Sequence, residues 1–460
     1  MNALFLSRLQ FGLTICFHYI FPPLSIGLGL MMVIMEGLYL KTKLPIYEQM
    51  SRFWTSVFAL TFGLGVATGI VMEFEFGTNW ANYSRFVGDV FGGPLAAEGI
   101  FAFFLESGFL AILLFGHGKV GKKFHFFATV MVFLGSAFSA VWITIANSWM
   151  QTPAGYKLIY KHGKPIAAHV TNLLAVLLNP SSIDRLVHTL IGALLSGAFL
   201  VLSVGAYYIL RRRHLDFAMR SIKIALVVAI AASMLQLVSG DANARMIARY
   251  QPAKLAAFEG HFRADAPSGM SIAGWVNARA QKVYGLRIPG MLSWLLYWNT
   301  QHPVIGLDKF KPSDRPPVNP VFQSYHLMVG IGMALIGLAA AGGFFWWRGT
   351  LFNQRWLLWL FVFSALGPLV ANEAGWFSAE VGRQPWIVYG VLKTSQGISP
   401  HLPASQVLIS ILMFSFIYLL LGILFVFLLN RKIQAGPIPL PATGAPGEHV
   451  SVQPNVRMDA

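Results

Sequence analysis

One cysteine, Cys16, stands among 460 residues, and charge is also scarce: 11% of the chain is Asp, Glu, Lys or Arg, against about 25% in an ordinary soluble domain. A lone thiol excludes an intrachain disulfide and any multi-cysteine iron–sulfur or zinc site, so redox chemistry here needs other ligands. Scarce charge, with 56% apolar residues and a mean hydropathy of +0.60, excludes a soluble fold. Acidic residues number 18 against 34 basic ones, a formal charge of +16. In a soluble protein that imbalance would point to nucleic acid. Here the basic residues gather in short loops between apolar stretches, which is a topology signal, so no nucleic-acid partner is expected. The chain also lacks a Walker or dinucleotide motif and an internal repeat. The first apolar stretch has no short core ending in a small-residue cleavage site, so it is expected to stay as a span.

Apolar windows place nine spans at about 10–40, 53–75, 94–116, 125–149, 185–210, 221–243, 324–347, 355–376 and 404–430. The expected fold is an all-α polytopic membrane protein, a bundle of about nine transmembrane helices. Loops after spans one, three, five and seven carry Lys41, Lys43 and Arg52; Lys119, Lys122 and Lys123; Arg211, Arg212, Arg213, Arg220 and Lys223; and Arg348 and Arg355. Arg431 and Lys432 follow span nine. The opposite loops hold the smaller set Arg85, Lys157, Lys161, Lys164, Arg185, Arg383 and Lys393. The expectation is an N-terminus outside and a C-terminus in the cytoplasm.

Four regions follow: helices one to six over 1–243, an outer loop over 244–321, helices seven to nine over 322–433, and a Pro-, Gly- and Ala-rich cytoplasmic tail over 434–460, expected to be disordered. The long connection reads as structureless, and such a loop is usually functional.

Ionisable groups inside lipid are expensive, so each is a functional candidate. Glu98 and Glu106 share one span; eight residues on an ideal helix leave them about 80° and about 12 Å apart, as successive stations of a proton path. Ser139 and Asn147 on the next span are candidates for the same path. A lone His is more often an interhelical hydrogen-bonding group than a ligand, a lone Met more often packing, and Glu380 after span eight could solvate a helix end. The topology nevertheless puts His18, His188, Met328 and Glu380 at one membrane level. Two histidines, a methionine and a carboxylate suit haem iron better than zinc. Spacing alone thus gives a membrane haem protein, with two alternatives: a proton-coupled transporter, or a dihaem membrane anchor of a dehydrogenase.

Several motifs in order carry more. They are Leu6–Ser7–Arg8–Leu9–Gln10–Phe11 leading to His18, Phe76–Gly77–Thr78–Asn79–Trp80, Glu98–Gly99 followed by Phe103–Phe104–Leu105–Glu106–Ser107, and Ala146–Asn147–Ser148–Trp149–Met150–Gln151. Leu178–Asn179–Pro180 precedes His188, and Gly375–Trp376 leads to Ala379–Glu380–Val381–Gly382–Arg383–Gln384–Pro385–Trp386. With these the chain resembles, over all nine spans, subunit I of the cytochrome bd-type quinol oxidases, in the short quinol-loop branch that includes cyanide-insensitive oxidases.

The resemblance implies a respiratory quinol:oxygen oxidoreductase that builds a proton gradient without pumping. It implies that His188 and Met328 bind a low-spin haem b, and that His18 and Glu380 serve a high-spin haem b and a haem d, or a further haem b, at the oxygen site. Trp376 matches an aromatic between haems, Arg383 a partner of haem propionates, and Lys254 and Glu259 the quinol-binding residues of the outer loop. On an ideal helix those two lie about 140° apart, so facing one quinol ring requires a bend or an irregular segment. His326 stands two residues before Met328 where many relatives carry Arg. The implied partners are quinol (ubiquinol or menaquinol), oxygen, a helical subunit II, small single-helix subunits and the lipid bilayer of a bacterial cytoplasmic membrane.

Overall fold

The computed structural model describes residues 2–439. Among them nine helical stretches are long and apolar enough to cross a bilayer: Ala3–Thr42, Pro45–Thr78, Ala81–Phe115, Lys122–Gln151, Ser182–Leu210, Leu215–Tyr250, Pro312–Trp347, Arg355–Val381 and Ala404–Ala435. Each outruns its expected span at one end or both, because helices continue past the hydrocarbon boundary while their backbone stays satisfied, and all cover it in full but the third, which stops at Phe115, one residue short.

The first stretch is two helices, α1 (Ala3–His18) and α2 (Phe21–Thr42). Pro22 and Pro23 cannot donate to the carbonyls of His18 and Tyr19 four residues earlier, so α1 ends at His18. Next come α3 (Pro45–Thr78) and α4 (Ala81–Glu98), then a π turn over Gly99–Phe103 and α5 (Phe104–Phe115). α6 (Lys122–Gln151) leads into the antiparallel hairpin β1 (Tyr156–Lys161) and β2 (Lys164–Val170), the short α7 (Leu173–Leu177) and α8 (Ser182–Leu210). α2 and α8 cross backbone to backbone: a Cβ on Gly197 would lie 2.2 Å from the Gly27 carbonyl carbon. Small residues of this kind let helices associate where apolar burial offers no preference over lipid.

α9 (Leu215–Tyr250) opens the long connection, which is not structureless as expected. It continues through α10 (Pro252–Phe258), the hairpin β3 (Met270–Asn277) and β4 (Lys282–Ile288), and α11 (Met291–Tyr297). Ala256, Ala257, Phe258 and Phe262 pack with Val321 and Phe322 in one cluster; Leu255, Leu292, Leu296 and Val304 make another. These long-range contacts give the loop a core that no local pattern announced.

α12 (Val318–Trp347), α13 (Arg355–Ser364) and α14 (Leu366–Val381) follow. The small β5 (Trp386–Val388) and β6 (Leu392–Lys393), then α15 (Thr394–Gly397), lead to α16 (Ala404–Ala435). α16 takes in the first two residues of the expected tail, and 440–460 lie outside the described residues. α8 packs on α9, α9 on α12, α12 on α14 and α14 on α8, closing a four-helix ring.

Candidate functional site

Glu380 sits in the last turn of α14, inside the protein rather than solvating a helix end. Its Oε1 accepts hydrogen bonds from Asn147 Nδ2 at 2.9 Å and Gln151 Nε2 at 3.1 Å, both on α6. Its Oε2 pairs with the Arg383 guanidinium. Asn147 Oδ1 in turn accepts from Arg185 at the start of α8. Gln151 Oε1 accepts from Lys254 Nζ at 2.5 Å, and Lys254 also donates to Gln251 Oε1 at 2.7 Å. Through Gln151 the outer loop thus touches the Glu380 cluster.

Lys254 is 1% exposed. Burial, with Arg185 and Arg383 nearby and Glu380 opposing, holds its pKa well below the usual lysine value. Its amine donates to both amide oxygens. The cluster therefore gathers three basic side chains around one carboxylate. Arg383 Nε and Nη1 and Arg185 Nε are buried without a partner, and unmatched buried guanidinium is costly unless an anion completes it. A group bearing carboxylates, as haem bears propionates, fits that need.

Each candidate histidine has its Nδ1 held by a hydroxyl from another helix. His18 Nδ1 lies 2.9 Å from Thr68 Oγ1, whose own hydroxyl donates to Leu64 O at 2.8 Å. The network assigns the His18 proton to Nδ1 and leaves the Nε2 lone pair free. His188 repeats the arrangement on α8: Nδ1 is 2.9 Å from Ser239 Oγ, which donates to Gln236 O at 3.2 Å, while the Gln236 amide nitrogen stands 3.1 Å from Nε2. Met328 on α12 faces α14 where Gly375 has no side chain; a Cβ there would lie 2.6 Å from the sulfur. Trp376, half-buried, follows that glycine one turn before Glu380. Among the described residues no three His, Cys, Asp or Glu side chains converge as a bare ion requires. Ligands offered singly suit a metal that brings its own equatorial donors, as haem iron does.

Glu98 accepts from Ser139 Oγ at 2.9 Å, and Glu106 from Ser136 Oγ. The two serines are neighbours three residues apart on α6, closer than the expected 80° offset of the glutamates implies. The π turn at Gly99–Phe103 is the reason: it takes more residues per revolution than an α turn and swings Glu106 back toward the face of Glu98. Gly135 lets α5 come close enough, since a Cβ there would lie 2.9 Å from Glu106 Cβ.

Glu259, 2% exposed, leaves the helix as the residue after α10 and accepts from Ser271 N at 2.9 Å. Burial pushes its pKa up to about 7, against that N–H and the Arg287 guanidinium. Lys254 and Glu259 are therefore buried residues of a folded loop, with different partners and no direct bond between them. His326 ties the loop to α12, its Nε2 2.9 Å from Ser271 O and its Nδ1 2.8 Å from Phe322 O.

Sequence reasoning missed Thr68, Ser239, Gln236, Arg185 and the hub role of Gln151. Their only signal was polarity on otherwise apolar helix faces.

The pattern that defines the family described as "Cytochrome bd terminal oxidase subunit I" matches residues 6–437. The chain is 38% identical over 450 residues to the cytochrome bd ubiquinol oxidase subunit 1 of Bacillus subtilis (strain 168), covering 95% of this chain and 94% of that protein. It is 34% identical over 499 residues to the cytochrome bd-II ubiquinol oxidase subunit 1 of Escherichia coli (strain K12), covering 94% and 96%. Its fold matches a chain of the bd oxidase from Geobacillus thermodenitrificans with a TM-score of 0.87 and 29% identity, over 95% of this chain and 99% of that one. The chain belongs to the cytochrome bd terminal oxidase subunit I family.

Proposed function

We propose that this chain is the haem-carrying subunit of a respiratory quinol:oxygen oxidoreductase in a bacterial cytoplasmic membrane. The observation that carries the reading is the buried cluster of Arg185, Arg383 and Lys254 around Glu380, together with His18, whose Nε2 is free for iron, and His188, whose Nε2 faces only the Gln236 amide. His188 and Met328 would hold a low-spin haem b. His18 and Glu380 would hold a high-spin haem b and a haem d, or a further haem b, with Arg383 and Arg185 on propionates. When bound, these haems supply one-electron transfer and the reduction of oxygen to water.

The protein's own residues bind and move protons. Glu259, with a pKa of about 7, takes a hydroxyl proton from quinol and releases it outside, while Lys254 binds the other hydroxyl. Glu106 and Glu98, backed by Ser136 and Ser139, bring protons from the cytoplasm toward Asn147 and Glu380. Trp376 lies beside the electron route. Two quinols release four protons outside; one oxygen molecule and four protons from inside give two waters, so a gradient forms without pumping.

The orientation follows the basic loops, N-terminus outside and C-terminus cytoplasmic, with 244–321 as the quinol loop. Relatives are subunits by name, and exposed apolar side chains such as Leu412, Phe416 and Leu419 on α16 offer surface to lipid, a helical subunit II or small single-helix subunits. The test is quinol-driven oxygen uptake by the purified complex in vesicles. Two quinols per oxygen with external acidification is expected; oxygen-independent proton coupling would overturn the reading in favour of a transporter.

A further inference from the structure

α6 carries more buried polar chemistry than the proton path above uses. His125, Thr129, Ser136, Ser139, Asn147 and Gln151 fall within about 120° of one another at 100° per residue. Carboxylates from four other helices meet that face: Glu380, Glu98 and Glu106 at its outer and central parts, and Glu36 of α2 at its start. Glu36 has no part in the path so far. It is 5% exposed; its Oε1 lies 2.5 Å from His125 Nδ1, and its Oε2 accepts from Thr129 Oγ1 at 2.5 Å and Ser51 Oγ at 3.4 Å. His125, 4% exposed, stacks on His117 with ring centroids 4.0 Å apart.

Two features separate this cluster from a clamp between helices. His125 Nε2 and His117 Nε2 are both buried without a partner, and an unmet buried polar group costs about 1–3 kcal/mol, a burden that a purely structural contact has no reason to carry. The cluster also lies at the basic end of the bundle, with Lys41, Lys43, Arg52, Lys119, Lys122 and Lys123. Around it, Arg52 pairs with Glu48 at 2.6 Å and Lys122 donates to Tyr39 OH at 2.5 Å. Burial, with His125 and Arg52 nearby, lowers the pKa of His117 to about 4, so that ring is neutral and free to accept.

We infer that Glu36, His125 and His117 form the cytoplasmic mouth of the proton column and feed Glu106 along α6. The inference rests on the proposed reading that water is made with protons from that side. A proton taken up at His125 Nε2 is matched by release of the Nδ1 proton to Glu36 Oε1, and Glu36 returns to carboxylate when it hands the proton on. Four such transfers balance the four electrons from two quinols. From Thr129 to Ser136 is about 10.5 Å along the axis, a length that about three hydrogen-bonded waters bridge.

The test uses the whole oxidase complex reconstituted in vesicles, with Glu36→Gln, His125→Gln and Glu106→Gln in parallel. Proton uptake from the cytoplasmic side is timed after oxygen is added to the fully reduced enzyme, beside turnover, quinol KM, melting temperature and absorbance spectrum. Slowing of uptake by ten- to hundredfold in all three variants, with spectrum and KM unchanged and recovery in Glu36→Asp, is the expected result. Wild-type uptake in Glu36→Gln and His125→Gln while Glu106→Gln is slow overturns the mouth and leaves the proposed path standing. Wild-type uptake in all three overturns both. A fall in melting temperature without slower uptake makes Glu36 a clamp and also overturns the inference. Should Glu36→Gln fail to assemble, His125→Gln alone decides.

Discussion

Glu259→Gln tests the quinol site through both stability and rate. Burial moves the Glu259 pKa from 4.5 to about 7, and 2.5 units correspond to about 3 kcal/mol. Because the folded-state value is raised, the folded protein holds a proton that the unfolded chain has lost between pH 4.5 and 7. The carboxyl's contribution is therefore fully present below 4.5 and is lost as pH rises through 7. Glutamine removes this slope while still accepting from Ser271 N–H, so the variant should gain up to about 3 kcal/mol relative to wild type across that window, read as a pH-dependent difference in melting temperature. In catalysis, wild-type kcat/KM for quinol should fall about tenfold per pH unit below 7 as the base is protonated. Glu259→Gln should lose that acid limb and run about 10²–10⁴ slower at alkaline pH, the usual contribution of a general base. Oxygen uptake with a soluble quinol across pH 5.5–9 measures it. A variant that keeps both the wild-type rate and the acid limb refutes the assignment.

Thr68→Val keeps the shape of the side chain but strands the His18 Nδ1 proton; a cost of about 1–3 kcal/mol and a shifted or depleted high-spin haem band are expected. Arg383→Gln leaves Glu380 without its ion partner and should lower stability by about 3–5 kcal/mol, read from the melting curve of the complex. Gly197→Ala drives a methyl group into the Gly27 backbone, 2.2 Å from its carbonyl carbon. Overpacking of about 1–3 kcal/mol or more should reduce assembled protein in membranes.

The spans were legible because lipid leaves the backbone no choice but helix. His18, His188 and Met328 could be marked as candidates, but the residues that pack against them, Thr68, Ser239 and Gly375, come from other helices. The approach of Glu106 to Glu98's face was hidden because a π turn has no local pattern of its own; only Gly99 stands at its start. Lys254 and Glu259 look like solvated loop charges in a linear reading. Their burial arises from contacts of Lys254 with Gln151, 103 residues upstream, and of Glu259 with the β3 residue Ser271. The loop's own core, from Leu255 to Val304, is likewise non-local.

Haem held by His188, Met328, His18 and Glu380 is the proposal on which the rest of the mechanism depends. A reduced-minus-oxidised absorbance spectrum of the purified complex, with and without carbon monoxide and followed by haem extraction, tests it most directly. A low-spin b signal together with a carbon monoxide-reactive high-spin signal is expected, and the extract decides between haem d and a further haem b. A folded complex without haem would contradict all four ligand assignments together.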